Sequence, residues 1–220
     1  MNIEAVAYYS SVLKEKFGIP RQSGLAAGLK GEVRFVPPYN APEALRGLED
    51  FDYCWLLWGF SLNEPSSFSP TVRPPRLGGN KRVGVFASRS PFRPNGMGLS
   101  SVKIEKIERG VIHVSGADLA DGTPIYDVKP YIEYADSHVG IRSGFVDYSA
   151  WAKLEVQIPE ELASILGPED SAVLSELLAQ DPRPRYQDDP EREYGLTFGA
   201  YNVKFCIDGQ KVFVRSLEKY

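Results

Sequence analysis

Over its first 136 or so residues the chain offers only short apolar or alternating runs, separated by glycine, proline and Asp-Gly signals. Ile3–Tyr8 reads as a first strand, followed by a polar loop to Lys30. Gly31–Val36 alternates polar and apolar residues and stops at Pro37-Pro38. Residues 41–51 suggest one short helix with Pro42 at its start, where a missing N–H costs nothing. Tyr53–Phe60 is aromatic-rich and almost wholly apolar, the pattern of a strand buried on both faces. Strands are also expected at Val83–Ala87, Leu99–Ile107, Val111–Ser115 and Ile125–Pro130, with tight turns at Arg109-Gly110 and in ADGTP, 120–124. Many short strands and one short helix predict a mainly β, closed or nearly closed structure. The regular alternation of strand and helix that marks a doubly wound sheet is missing.

The pattern changes after about residue 137. SHVGIRSGFVDYS, 137–149, reads as an exposed linker and WAKLEVQI, 151–158, as a strand. Helical periodicity over 159–180 is interrupted at Gly167-Pro168, which predicts two short helices with Glu160, Glu161, Glu169 and Asp170 in their first turns. Leu196–Ile207 and Lys211–Leu217 suggest a hairpin around Asp208-Gly209. Two domains are therefore expected, residues 1–150 and a small α+β unit over 151–220, within the means of 220 residues that are 43% hydrophobic. The first part carries 17 basic and 16 acidic groups, the second 8 and 13. Such a balance disfavours indiscriminate coating of nucleic acid and leaves room for a local basic groove.

Cys54 and Cys206 sit in apolar runs and suit buried thiols in a reducing cytosol. With no CxxC spacing and only His113 and His138, no metal site is expected. The N-terminus shows no basic segment followed by an apolar core, and no apolar run approaches a membrane span, so a cytoplasmic protein is expected.

Candidate chemistry lies in segments rich in Gly, Pro, Arg and Asp. Residues 73–98 hold six basic side chains, Arg73, Arg76, Lys81, Arg82, Arg89 and Arg93, and no carboxylate. Guanidinium forks on loops stiffened by proline suit anions. A strand at Val83–Ala87 would direct Ser88–Asn95 off its end, so Arg89 and Arg93 could line a cleft beside the sheet. EKFGIPRQSG, 15–24, places Arg21 and Gln22 after a proline, although from residue types alone its simpler reading is a surface loop. DLADGTPIYDVKPY, 118–131, supplies Asp118, Asp121 and Asp127; its simple reading is a turn, with Lys129 paired to Asp127. DPRPRY, 181–186, is either a helix-stopping loop or a phosphate-facing pair, Arg183 and Arg185. Neither histidine has the context of a Ser/His/Asp triad, LGGN lacks the Lys-Ser/Thr of a P-loop, and no GxGxxG follows the first strand. Carboxylate acid–base chemistry with arginine anchors is left.

EKFGIPRQSGL (15–25), YNAPEALRGLEDFDYCWLLW (39–58), RPPRLGGNKRVGVFASRSPFRPN (73–95), DLADGTPIYDVKPY and DPRPRY, in this order, strongly resemble the TsaA-like, or TrmO, tRNA methyltransferases. The resemblance covers nearly the whole chain. It implies a single-sheet, non-Rossmann β-barrel, a homodimer with the cofactor near the interface, and S-adenosyl-L-methionine-dependent methylation of N6 of N6-threonylcarbamoyladenosine at position 37 of threonine tRNA. Matched by motif, Pro20, Arg21, Gln22, Ser61, Leu62, Arg89, Leu99, Asp121, Gly122, Thr123 and Pro124 would contact the cofactor. Many relatives carry histidine where Ser61 stands, and often Pro-Ile where this chain has Gly96-Met97.

On that reading Asp121 or Asp127 accepts the N6 proton or orients the base. Arg93, with Arg89 or Arg76 as alternatives, reads the threonyl carboxylate. Arg76 and Arg82 face RNA, and Arg183 with Arg185 contacts the anticodon-stem backbone. The rival reading is a non-catalytic RNA-binding β-barrel module.

Overall fold

A computed structural model describes residues 2–63, 68–149, 152–183, 187 and 189–220. The N-terminal part forms a closed antiparallel barrel in which β1 (Ala7–Ser11), β2 (Lys30–Phe35), β3 (Tyr53–Gly59), β6 (Met97–Glu108), β7 (Val111–Ser115) and β8 (Pro124–Pro130) run in the order β1-β2-β7-β6-β3-β8. The short β4 (Thr71–Val72) and β5 (Val83–Gly84) pair outside it. Period-two alternation fills the barrel: Cys54, Leu56 and Trp58 point inward from β3, Ile112 and Val114 from β7. Arg109 and Gly110 both take positive φ, 51° and 75°, as the two-residue turn between β6 and β7 requires.

Beyond the barrel come a one-turn α1 (Glu133–Asp136), β9 (Glu155–Gln157), α2 (Glu160–Leu166), α3 (Pro168–Leu178), β10 (Tyr194–Phe198), β11 (Tyr201–Asp208) and β12 (Lys211–Lys219). The sheet order is β10-β11-β12-β9, with β9 parallel to β12. Gly167, at φ 81°, separates the two helices and Pro168 opens the second, as the sequence suggested. Val173, Leu174, Leu177 and Leu178 turn one face of α3 into a core with Leu196, Val203, Phe205 and Val212. That core also takes Leu13, Ala26 and Leu29, with Phe17 and Ile19 against it. The β1–β2 connection is thus no solvated polar loop. Its apolar residues are too dispersed to show periodicity, yet they plug the second unit.

Several elements depart from the sequence reading. β1 begins four residues later than expected, leaving Ile3 half exposed. The helix over 41–51 is two 3-10 turns, Pro42–Leu45 and Leu48–Asp50, broken at Gly47 with φ 88°. β3 is buried on one face only, because its outer residues Tyr53, Trp55 and Leu57 keep access to solvent. The expected strand Val83–Ala87 ends at Gly84 and becomes a 3-10 turn, Val85–Ala87, in which Ser88 donates through its hydroxyl to the Val85 carbonyl. Of the strand expected over 151–158, residue 151 lies outside the described residues and the rest is strand only at 155–157, and that over 196–207 breaks at Gly199, which takes φ 59°. Cys54 and Cys206 are buried and unbonded to each other, and burial pushes the Cys54 thiol up to about 12.

Antiparallel order decides where the connections fall. β1, β3 and β7 end, and β2, β6 and β8 begin, at the same rim of the barrel. The β1–β2 loop, the long β3–β6 connection and the β7–β8 loop therefore gather there. The opposite rim holds the two 3-10 turns of the β2–β3 connection and the Arg109-Gly110 turn, around a cleft lined by Arg46, Glu49 and Glu108.

Gly98 marks how tightly the rim packs: a Cβ there would stand 2.4 Å from the Trp58 ring. Gly98→Ala is expected to cost about 1–3 kcal/mol, read as a lower urea midpoint with an unchanged m-value.

Candidate functional site

Three connections meet at the upper rim. From β1–β2, Gln22 accepts a hydrogen bond at its Oε1 from Arg89 Nη1 of the β3–β6 connection. The Gln22 amide in turn donates to the Arg21 carbonyl, and Arg21 Nη2 donates to the Asp181 carbonyl at 3.0 Å. Lys16 Nζ donates to Asn63 and lies 5.8 Å from the centre of the Phe92 ring, which ties the residues after Ser61 and Leu62 to the same edge. The Phe60 N–H donates to the Gly96 carbonyl, so Ser61 and Leu62 leave β3 beside the start of β6.

Under the Gln22–Arg89 pair lies a polar chain. Trp58 Nε1 donates to Ser100 Oγ at 2.9 Å, and Ser100 Oγ donates to Asp118 Oδ1 at 2.5 Å. Ser100 and Trp58 are buried inside the barrel mouth. Burial raises the Asp118 carboxyl above its ordinary value of 3.8; the Ser100 bond, the Arg89 charge and backbone donors including Ser23 offset only part of it. Arg89 therefore stands between a glutamine acceptor and a carboxylate held against its own desolvation.

The β7–β8 turn is strapped to β1. Asp121 Oδ1 accepts the Ser11 N–H at 2.9 Å, the Asp121 N–H donates to Leu13 O, and the Gly122 N–H donates to Tyr9 O. Gly122 takes φ 74°. Asp121, Gly122, Thr123 and Pro124 thus sit at the rim as a fixed turn, and Asp121 has a structural bond of its own.

The other predicted residues fall into separate places. Leu99, Leu57 and Asp127 form one row across β6, β3 and β8 on the outer face of the barrel, where Leu99 is 56% exposed. Asp127 pairs with Lys129 at 2.8 Å there. Arg93 Nη1 donates to the Ser88 carbonyl at 2.7 Å and its guanidinium lies over Phe86. Arg89 and Arg93 leave a 3-10 turn rather than a strand end, and Arg89 reaches the β1–β2 loop through Gln22. Arg76 and Arg82 belong to the loop that β4 and β5 close, and Arg82 Nη1 donates to Thr71 Oγ1. Arg183 is turned inward against Asp181, at 3.0 Å. Arg185 lies outside the described residues. Pro20 is buried in the loop that carries Arg21.

Sequence reasoning named Asp118 without giving it work and passed over Ser100 and Trp58. Nothing local could have found them, because the chain of bonds exists only once the β7–β8 loop folds over the first residues of β6. Among the described residues no group of three His, Cys, Asp or Glu side chains could hold a metal, and no helix is long and apolar enough to cross a membrane.

Two domain profiles match the chain: the tRNA-methyltransferase O N-terminal domain over residues 8–137, and the TrmO C-terminal domain over 151–220. The tRNA (adenine(37)-N6)-methyltransferase of Escherichia coli strain K12 is 37% identical, over 98% of this chain and 97% of its own length. A putative S-adenosylmethionine-dependent methyltransferase of Pseudomonas aeruginosa is 41% identical over 92% of this chain and 90% of its own. A crystal structure of TrmO from Pseudomonas aeruginosa superimposes with a TM-score of 0.82 at 32% identity, covering 100% of this chain and 97% of that one.

A carboxyl whose pKa is raised by folding takes up a proton more readily in the native state than in the unfolded one. Stability then falls as pH rises from 3.8 through the raised value, and the penalty is complete above it. Asp118→Asn is expected to raise the thermal midpoint at neutral pH and to converge with the unaltered protein below pH 3.8, as scanning calorimetry across pH would show.

Proposed function

Because the chain belongs to the tRNA-methyltransferase O family, we propose that it methylates N6 of adenosine 37 in tRNA with S-adenosyl-L-methionine as donor, acting on the N6-threonylcarbamoyl form in threonine tRNA. The observation that carries this reading is the convergence of Gln22, Arg89, Asp118 and the Asp121–Pro124 turn at one barrel rim.

The donor set suits the cofactor. Arg89 and Gln22 offer N–H groups to a carboxylate, the partly buried Asp118 offers negative charge near a cation, and the exposed Leu62 and Leu99 offer apolar cover for an adenine. Bound there, the cofactor supplies an electrophilic methyl on a positively charged sulfur. The protein's own work is alignment: strapped loops hold donor and acceptor in line, and most of the rate can come from such positioning.

The N6 lone pair is delocalised into the ring and the carbamoyl group, so removing its proton raises its nucleophilicity. Asp121 and Asp127 are the two carboxylates proposed for that proton. Asp121 commits Oδ1 to Ser11 and so presents a carboxylate already fixed in direction. Asp127 stands in the outer row beside Leu57 and Leu99. Arg93, pinned by the Ser88 carbonyl and Phe86, is suited to a bidentate grip on the threonyl carboxylate. A position-37 base lies in a single-stranded loop, so presenting it costs less than flipping one from a duplex. Arg76 and Arg82, on their projecting loop, are proposed to meet RNA phosphates. A cytoplasmic location is proposed with it, as fits a tRNA substrate.

A homodimer is proposed as well. Tyr134, Val139, Ile141 and Tyr148 are 91%, 92%, 64% and 88% exposed, close in sequence and continuous with the end of β8. So much bare apolar surface on one short segment is the mark of an interface. It would also cover the outer row containing Leu99 and Asp127.

The decisive experiment incubates the purified protein with the cofactor and threonine tRNA and digests the product for mass spectrometry. One added methyl on the position-37 nucleoside is expected, and calorimetric binding of the cofactor separates an enzyme from a passive RNA-binding module. Arg93→Ala is expected to lower transfer to threonylcarbamoylated tRNA by about a hundredfold with cofactor affinity kept. Equal activity on modified and unmodified anticodon loops would defeat the carboxylate-reading role. In sedimentation, Val139→Glu with Ile141→Glu is expected to halve the mass of the unaltered protein.

A further inference from the structure

The second Arg/Pro motif has a geometry unlike that of a phosphate-binding patch. Asp181 follows α3 at φ 51°, a left-handed conformation that costs a non-glycine residue energy. Its N–H closes the helix by donating to the Leu178 carbonyl at 3.1 Å. Its carboxylate accepts Arg183 Nε at 3.0 and 3.3 Å, and both side chains are only 13% exposed. A second nitrogen of Arg183, Nη2, reaches toward the Gly209 carbonyl at 3.4 Å. A cation meant for RNA phosphate would project into solvent. This one is folded inward and spans two elements of the C-terminal unit.

The Asp181 carbonyl looks the other way. It accepts Arg21 Nη2 at 3.0 Å, and this is where the C-terminal unit grips the loop that carries Arg21 and Gln22. From Arg21 the path continues without a gap: the Arg21 carbonyl accepts from Gln22 Nε2, and Gln22 Oε1 accepts from Arg89 Nη1. Pro182 and Arg21 line the same cleft with Lys16 and Ile19, so the loop and the residue between Asp181 and Arg183 face one space.

We propose that Arg183 is a positioning residue for the cofactor loop: by pairing with Asp181 it holds the left-handed backbone that aims the Asp181 carbonyl at Arg21, and so sets the Gln22–Arg89 pair. The assignment rests on the reading of Arg21, Gln22 and Arg89 as cofactor residues. It replaces the expectation that Arg183 meets the anticodon-stem backbone. The C-terminal unit then contributes to methyl transfer through the shape of a loop it does not contain.

The test uses the full-length protein, titrated calorimetrically with S-adenosyl-L-methionine and, separately, with threonine tRNA at several salt concentrations. Arg183→Ala is expected to weaken cofactor binding about tenfold, the scale of one lost charge-assisted bond, while the salt slope of tRNA binding stays unchanged. Arg183→Lys, which keeps the charge and loses the planar fork, is expected to recover only part of the affinity. Combined with Arg21→Ala, it is expected to add nothing to the loss from Arg21→Ala alone, because both cut one path. Should Arg183→Ala fail to fold, Asp181→Gly serves. Glycine removes the carboxylate and leaves the backbone free to depart from the left-handed region, so the carbonyl loses its aim and cofactor binding should again weaken. Unchanged cofactor affinity with a salt slope smaller by about one would make Arg183 a phosphate contact and overturn the proposal. Additive losses from Arg183 and Arg21 would overturn it too. If the unaltered protein bound no cofactor, the functional reading itself would fall, a result distinct from any difference among variants.

Discussion

Closure of the barrel and construction of the candidate site are the same interaction. β1 and β8 share only two register pairs, Ala7 with Ile125 and Tyr8 with Pro124. What makes this seam secure is the turn before β8: Tyr9 donates to Thr123, Gly122 donates to Tyr9, Asp121 donates to Leu13 and accepts from Ser11. A sheet that failed to close here would leave two edges unpaired. It would also release the Asp121–Pro124 turn from the rim. The seam is short because the backbone groups of the turn continue it, and side chains on that turn inherit its rigidity.

A second constraint is electrostatic. The rim collects guanidinium groups whose natural partners are anions, and the Asp118 carboxylate, which feels the Arg89 charge, is hydrogen-bonded by Ser100. A full Asp–Arg bridge would neutralise Arg89 and bind its fork. Keeping Asp118 on the Ser100 hydroxyl leaves Arg89 oriented by the neutral Gln22 amide. The arrangement is costly to stability, since burial disfavours the charged form of Asp118 and raises its carboxyl above the ordinary value. Residues that gain a site at the expense of the fold are the usual place for such a cost.

Sequence reasoning reached furthest where the signal was local. Period-two alternation and the Arg109-Gly110 turn gave β7 with its correct ends, and Gly167-Pro168 gave the two helices. It failed where tertiary contacts decide. Val85–Ala87 has strand-forming residues, but the β4–β5 ladder ends at Thr71–Gly84, and beyond it Val85 N–H reaches the Pro70 carbonyl while the run turns into a 3-10 turn. Tyr53–Phe60 reads as buried on both faces because aromatic side chains look the same to hydropathy whether they face a core or an outer surface. At the site, the motifs were visible as Arg, Gly and Asp clusters, and their gathering at one rim follows from strand direction, which no single segment encodes. Ser100 was invisible, as one hydroxyl in a strand of ordinary composition.

The β1–β2 connection explains why two cores coexist without becoming independent. Leu13, Ala26 and Leu29 lie in the second core while the ends of the same connection are barrel strands. Exposing those side chains would forfeit their burial free energy in the second unit. Pulling them free would also strain the loop that carries Arg21 and Gln22. Ordering of that loop is therefore paid once, by folding of the C-terminal unit, and need not be supplied again when a ligand arrives. Surface bonds reinforce the same seam: Lys30 with Glu169, and the Gly28 N–H with Glu176. They contribute little as exposed pairs, and they join the residues on either side of Leu29 to α3. A loop held from below by a core and from the side by Asp181 has few conformations left, which is the condition that in-line transfer would place on the cofactor role proposed for Arg21 and Gln22.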